Sequence, residues 1–193
     1  MTARTFYLGG GIGSGKTAAG EILASLGAVV LSGDDAGRQV LLPGTPETAA
    51  VLARWPQAAA GERSIDRSAL GAMVFADPSA LAELEAITAP GIAERLMRAV
   101  AAHPDDTVLV EVPVLREVAG AGWPWVVVDA PDALRLQRAM ERDPGRGEEQ
   151  IRNIMARQPS RAEWLAAAEW VIDNGSDRDH LEAECRRLWA EIG

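Results

Sequence analysis

The chain has 193 residues, 48% of them hydrophobic, which is enough for one domain with a real core. Its 28 acidic residues outnumber 19 basic ones, and the net charge of −9 argues against nucleic acid as the main partner. A single cysteine excludes an internal disulfide and fits a reducing cytoplasm, and no apolar run is long enough for a signal peptide or a membrane span.

The first predicted element is Thr5–Leu8, a short apolar run rich in β-formers. It runs into Gly10-Gly11-Ile12-Gly13-Ser14-Gly15-Lys16-Thr17, which fits G-x-x-x-x-G-K-[ST] at every fixed position. Ala19, Ile22, Leu23 and Leu26 then recur at helical spacing, and Gly27 suits a helix end. A glycine loop between a strand and a helix is the setting in which this motif binds a nucleoside triphosphate. Gly11, Gly13 and Gly15 let successive backbone N–H groups turn inward, and the helix N-terminus adds partial positive charge. Lys16 is the only lysine in the chain; the other basic residues are arginines. A compact ammonium on a flexible stem folds back onto two phosphates where a planar guanidinium is too broad. The Thr17 hydroxyl is expected to ligate Mg²⁺ beside the phosphates of ATP.

Four further buried strands are predicted: Ala28–Leu31, Thr107–Val112, Trp125–Asp129 and Trp170–Ile172. They are continuously apolar rather than alternating, as in a parallel sheet covered on both faces. Asp34 and Asp35 follow the second strand. Either is a candidate base for phosphoryl transfer, or the two form a helix N-cap pair. About seventy residues separate the second and third strands, far more than one crossover needs. Leu70, Met73, Val74, Leu81, Leu84 and Ile87 give that stretch a helical pattern, so a helical insertion is expected. Glu111 ends the third strand, either as a carboxylate that assists Mg²⁺ through water or as an edge residue. Asp132 to Arg142 reads as a helix with Arg135, Arg138 and Arg142 on one face. These arginines suit a lid closing over a triphosphate, or a solvated face paired with nearby glutamates. Cys185 is expected to be packed in a late helix, and His103 and His180 to lie on the surface without a partner pattern.

Taken together, these segments resemble the dephospho-coenzyme A kinase family. The loop at Gly10–Thr17 looks like that family's. Ile65-Asp66-Arg67-Ser68-Ala69-Leu70, Val74-Phe75-Ala76-Asp77-Pro78 and Leu84-Glu85-Ala86-Ile87 are similar to its coenzyme-binding insertion. Pro113-Val114-Leu115 with Glu117 resembles its element after the third strand, and Gln137-Arg138 with Arg142-Asp143 resembles its lid helix. Ile154-Met155-Ala156-Arg157-Gln158, Arg161, Ala168 and Val171-Ile172-Asp173-Asn174 resemble its closing signature.

The resemblance implies ATP-dependent phosphorylation of the ribose 3′-hydroxyl of dephospho-coenzyme A (dephospho-CoA). Gly13 to Ala18, that is Gly13, Ser14, Gly15, Lys16, Thr17 and Ala18, would hold the ATP phosphates. Asp34 would be the base, and Arg138 and Arg142 lid contacts. The implied fold is α/β, a P-loop NTPase-type parallel five-stranded sheet flanked by helices. Its core spans 1–33, 105–134 and 158–193, a helical CoA-binding subdomain spans 34–104, and a lid spans 135–157. A monomer or weak homo-oligomer is expected, without nucleic acid or membrane as partner. Ser32, Ala89, Arg116 and Trp164 depart from the family's usual aspartate, histidine, aromatic and arginine. Two alternatives therefore stay open: a kinase of another small hydroxyl metabolite, or a catalytically weak nucleotide- or CoA-binding protein.

Overall fold

The computed structural model describes residues 4–120 and 122–193. Five strands, β1 (Arg4–Gly9), β2 (Val29–Ser32), β3 (Thr107–Glu111), β4 (Trp125–Asp129) and β5 (Trp170–Asp173), pair in parallel in the order β2-β3-β1-β4-β5. Burial accounts for their composition. Thr107 to Val110 of β3 and Val126 to Asp129 of β4 are buried without interruption, as in strands covered on both faces. The predicted strands are present, with β2 beginning one residue late. Its start is set by the end of helix α1 (Lys16–Leu26). There the Gly27 N–H returns to Ala24 O and the Ala28 N–H to Leu23 O, so Ala28 closes the helix instead of opening the strand.

The chain divides into two compact units, one comprising 1–32, 99–117 and 121–193, the other 33–98 and 118–120. In the first unit, α1 and α9 (Arg178–Ile192) pack on the sheet. Phe6, Leu8, Ile22, Leu23, Leu109, Val128, Ile172, Leu181 and Leu188 form the shared core. Cys185 lies in this core as the predicted packed residue, and burial pushes its thiol pKa up to about 11. The β1 strand is central: the chain leaves it toward β2 on one side, and the later connection from β3 to β4 crosses to the other. Its carboxyl end is therefore the switch point where such sheets bind ligands. Helices α6 (Asp132–Arg142), α7 (Glu148–Arg157) and α8 (Arg161–Ala167) follow β4. The α6 bounds match the sequence expectation. Ser160 and Glu163 cap α8 reciprocally, and this bonding to Ser160 holds the Glu163 carboxyl below its usual pKa.

The second unit is helical: α2 (Gly33–Val40), α3 (Pro46–Arg54), α4 (Arg67–Ala76) and most of α5 (Pro78–Ala101). Its own core joins Val51, Trp55, Ala58, Leu70, Val74 and Ala80. The Thr45 hydroxyl caps α3 and the Asp66 carboxylate caps α4, each accepting from N–H groups of the first turn.

Candidate active site

The loop from Gly10 to Gly15 joins β1 to α1 at the carboxyl end of the central strand. Gly13 (φ 75°) and Gly15 (φ 96°) are left-handed, a conformation that a side chain disfavours. Space is equally decisive. A Cβ on Gly13 would overlap the backbone carbonyl of Arg135, and one on Gly15 would overlap the side-chain amide of Asn174. Lys16, Thr17 and Ala18 form the first turn of α1, whose N-terminal amides face the loop.

Three side chains from distant segments hold the loop by its backbone. Arg135 Nε donates to Ile12 O at 3.0 Å, Gln158 Oε1 accepts from Ile12 N–H at 2.8 Å, and Asn174 Nδ2 donates to Ser14 O at 2.7 Å. In a planar trans peptide the C=O and the following N–H point in opposite directions. Tethering Ile12 O therefore turns the Gly13 N–H away from Arg135, and tethering Ser14 O turns the Gly15 N–H away from Asn174. These three bonds hold the outer edge of the loop and aim its inner N–H groups. The Ile12 side chain also packs against the cluster of Leu136, Ala139 and Ile151, so α6 and α7 grip the loop apolarly as well. Ser14 Oγ is buried with no hydrogen-bond partner among the described residues. An anion bound in the loop would satisfy such an orphaned hydroxyl.

Thr17 Oγ1 donates to Glu111 Oε1 at 3.3 Å. Glu111 is not an edge carboxylate, because β3 lies between β2 and β1. A hydroxyl and a carboxylate converge there as two hard oxygen donors, which suits Mg²⁺. Among the described residues no group of three or more His, Cys, Asp or Glu could hold a metal. A cation at this position would take its other ligands from phosphate and water.

The three arginines of α6 take different places. Arg135, 3% exposed, is spent on the loop and on Asp132. Half-buried Arg138 donates to the carbonyls of Asn174 and Ser176. Arg142, in the last turn, is exposed. Arg161 grips Asp129, at the end of β4, with both oxygens engaged. That contact raises the guanidinium pKa further above its ordinary value. In the helical unit, Asp34 and Asp35 occupy the first turn of α2 rather than its cap, and Asp35 pairs with Arg38. His103 and His180 do have partners, Asp106 and Asp173. Trp164, 2% exposed, packs against Trp125, and its ring abuts Gly9 just before the loop.

Of the residues singled out from sequence, the structure gathers Gly11, Gly13, Ser14, Gly15, Lys16, Thr17 and Ala18 at one point. Glu111 and Arg135, also singled out from sequence, lie beside them. Gln158 and Asn174 were quoted only as pieces of a signature, and their bonds to the loop left no separate mark in the sequence.

The family described as Dephospho-CoA kinase matches residues 5–179. The chain belongs to the dephospho-CoA kinase family. A dephospho-CoA kinase of Frankia casuarinae is 41% identical over 192 residues, covering 97% of this chain and 83% of that one. The dephospho-CoA kinase of Thermobifida fusca is 37% identical over 189 residues, covering 96% and 94%. The solved structure of a dephospho-CoA kinase from Campylobacter jejuni matches with a TM-score of 0.74 at 25% identity, across 99% and 98% of the two chains. As a member of the dephospho-CoA kinase family, this chain carries a P-loop kinase fold, and no helix among its described residues is long and apolar enough to cross a membrane.

Proposed function

We propose that this chain transfers the γ-phosphoryl group of ATP to the ribose 3′-hydroxyl of dephospho-CoA, releasing CoA and ADP. The observation that carries the reading is the span of the family match, which runs through the helical unit as well as the loop. A loop match alone is shared by many unrelated enzymes.

The roles follow from the chemistry. Inner N–H groups of Gly13 and Gly15, with those of the α1 first turn, cradle the phosphates, and Lys16 offsets charge on the β- and γ-oxygens. Mg²⁺ neutralises phosphate charge when bound, and Thr17 with Glu111 would hold it. Asp34 accepts the proton of the 3′-hydroxyl as the new O–P bond forms and the bond to ADP breaks. Arg138 and Arg142 are the lid cations. Arg138 already has two donors committed to backbone carbonyls, so Arg142 is the more available of the two. One fully buried thiol suits a reducing cytoplasm.

The test is ADP release in a coupled assay with ATP, Mg²⁺ and dephospho-CoA, against a panel with shikimate, gluconate and nucleosides. Turnover selective for dephospho-CoA is expected. Preference for any other hydroxyl compound would overturn the assignment of the acceptor.

A further inference from the structure

Trp164 is 2% exposed, yet its indole Nε1 has no hydrogen-bond partner among the described residues. A buried donor left unpaired costs stability, so this side chain is kept for what its ring does. The ring meets Trp125 edge-on at 5.9 Å. Trp125 in turn stacks on Tyr7 at 4.7 Å, and Tyr7 meets Trp123 at 5.1 Å. Rings from α8, β4, β1 and the residues before β4 thus form one continuous column beside the central strand.

Gly9, the last residue of β1, meets this column. It is not among the left-handed glycines, so backbone freedom is not what position 9 requires. Space is. A Cβ there would stand 2.6 Å from Cζ3 of Trp164 and 3.0 Å from the Trp125 ring, both inside van der Waals contact. The Trp164 ring is enclosed in the packed interior and cannot turn aside as the tip of a long flexible side chain can. Nor can the next residue absorb a shift. A Cβ on Gly10 would lie 2.5 Å from Val128 O and 2.7 Å from Ser14 Oγ, so the backbone there is already pressed between strand and loop. Movement at Gly9 therefore passes into the loop. The loop is also held farther on by the same stretch of chain as Trp164. Gln158, which ends α7, accepts from Ile12 N–H, and Arg161, one turn before Trp164 on α8, grips Asp129 at the end of β4. Residues 158–164 fix the loop at two points and are themselves anchored to the sheet between them.

We propose that Trp164 is a positioning residue for the nucleotide loop. Its indole seats the end of β1 at the level from which the Gly13 and Gly15 N–H groups reach phosphate, and it fits only because residue 9 is glycine. The proposal rests on the ATP binding proposed above. It gives the loop a support that, being buried, acts through Gly9 and touches neither nucleotide nor acceptor.

The experiment is a double-variant cycle on the full chain: wild type, Gly9→Ala, Trp164→Leu and the two combined, with Trp164→Phe as the conservative change. Calorimetry with ATP and Mg²⁺, KM values for ATP and dephospho-CoA, and thermal melts are read on each. Gly9→Ala and Trp164→Leu are each expected to weaken ATP binding about tenfold or more, by overpacking in the first and by loss of the seat in the second. KM for dephospho-CoA should stay within about twofold of wild type. Combined, the two changes should bind ATP no worse than Trp164→Leu alone, because the new Cβ takes space that the indole has vacated. Trp164→Phe keeps a ring and drops the unpaired N–H, so its ATP affinity should lie within about threefold of wild type. A ring that merely filled the core would lower the melting temperature of Trp164→Leu and leave its Kd for ATP at the wild-type value, and that result would sink the proposal. Losses that multiply in the combined variant would break the pairing with Gly9. If Trp164→Leu does not fold, Gly9→Ala in the Trp164→Phe background takes its place. There the added methyl should cost less ATP affinity than in wild type, and an equal cost counts against the pairing. Wild type that binds no ATP would overturn the proposed reaction instead. The pairing is then decided by the melts, where Gly9→Ala must lower the melting temperature of wild type and not that of Trp164→Leu.

Discussion

Asn174 donates its side-chain amide to the carbonyl of Ser14, 160 residues earlier, at 2.7 Å. Its own N–H donates to Asp129 O and its carbonyl accepts from Arg138. A residue just past the last strand is thereby fixed and in turn fixes the peptide that aims the Gly15 N–H. Replacing Asn174 with Ala leaves a buried carbonyl unpaired, a cost of about 1–3 kcal/mol. Expected is a fall in kcat/KM for ATP of roughly ten- to a hundredfold. Asn174→Asp is the sharper probe. It keeps the size but cannot donate, so it should fall as far as Asn174→Ala, and wild-type kinetics in Asn174→Asp would disprove the tether.

Two glycines of the loop meet the same arginine in different ways. A Cβ on Gly11 would overlap the tip of the Arg135 guanidinium, which a side chain can relieve by moving. A Cβ on Gly13 would overlap the Arg135 backbone carbonyl and would also sit at φ 75°, and neither strain can be relieved locally. Gly13→Ala is therefore expected to lose ATP affinity by more than about a hundredfold, judged by the several kcal/mol such backbone conflicts cost. Gly11→Ala should lose much less. The double variant Gly11→Ala with Arg135→Ala should bind ATP no worse than Arg135→Ala alone, because both act on one contact. Calorimetry with ATP decides it, and additive losses would mean that Gly11 acts elsewhere.

The fold was legible where its causes are periodic or local. Continuous apolar runs located all five strands, and the loop announced its own chemistry through residue types at fixed spacing. The one-residue shift of β2 came from hydrogen bonds at Ala28, which apolar character does not report. The face shared by Arg135, Arg138 and Arg142 was read correctly as geometry, but burial differs along it. Arg135 is swallowed by the loop and Arg142 is left in solvent. Glu111 looked as much like an edge residue as a site residue because strand order is not written in strand composition. Gln158 and Asn174 bond to backbone more than a hundred residues away, and a polar side chain carries no sign of such a partner. Likewise the carboxylates beside His103 and His180 are set by turns and helix ends rather than by a metal-like spacing.

Thr17 and Glu111 converge at 3.3 Å, so weakening either should show first in the metal requirement. Thr17→Val removes a hydroxyl ligand, and Glu111→Gln removes the charge beside it. Each is expected to raise the Mg²⁺ concentration for half-maximal turnover about tenfold or more, the range seen when supporting ligands are lost. Chelation of the metal should abolish ADP release in all variants. Rates measured across a Mg²⁺ titration at fixed ATP check this. An unchanged half-saturation point in Glu111→Gln would remove that carboxylate from the metal site.

Cys185 is buried in the core between α1, α9 and the sheet, and desolvation raises its pKa from the ordinary 9.0 to about 11. The unfolded chain therefore loses this proton at lower pH than the folded one. The stabilising contribution is whole below about pH 9, declines as pH rises through the next two units, and is gone above the folded pKa. Thiolate is the reactive form, so the native protein should resist alkylation at pH 8 and react fully once unfolded in denaturant. Cys185→Ala keeps the core apolar while deleting the titration. Its melting temperature should start lower than wild type at pH 8, from lost packing, and fall less steeply between pH 9 and 10.5. Thermal melts of both proteins across that range provide the check. Parallel curves would show that the thiol does not contribute to the alkaline loss of stability, and rapid alkylation of native protein would show that the site is open to solvent.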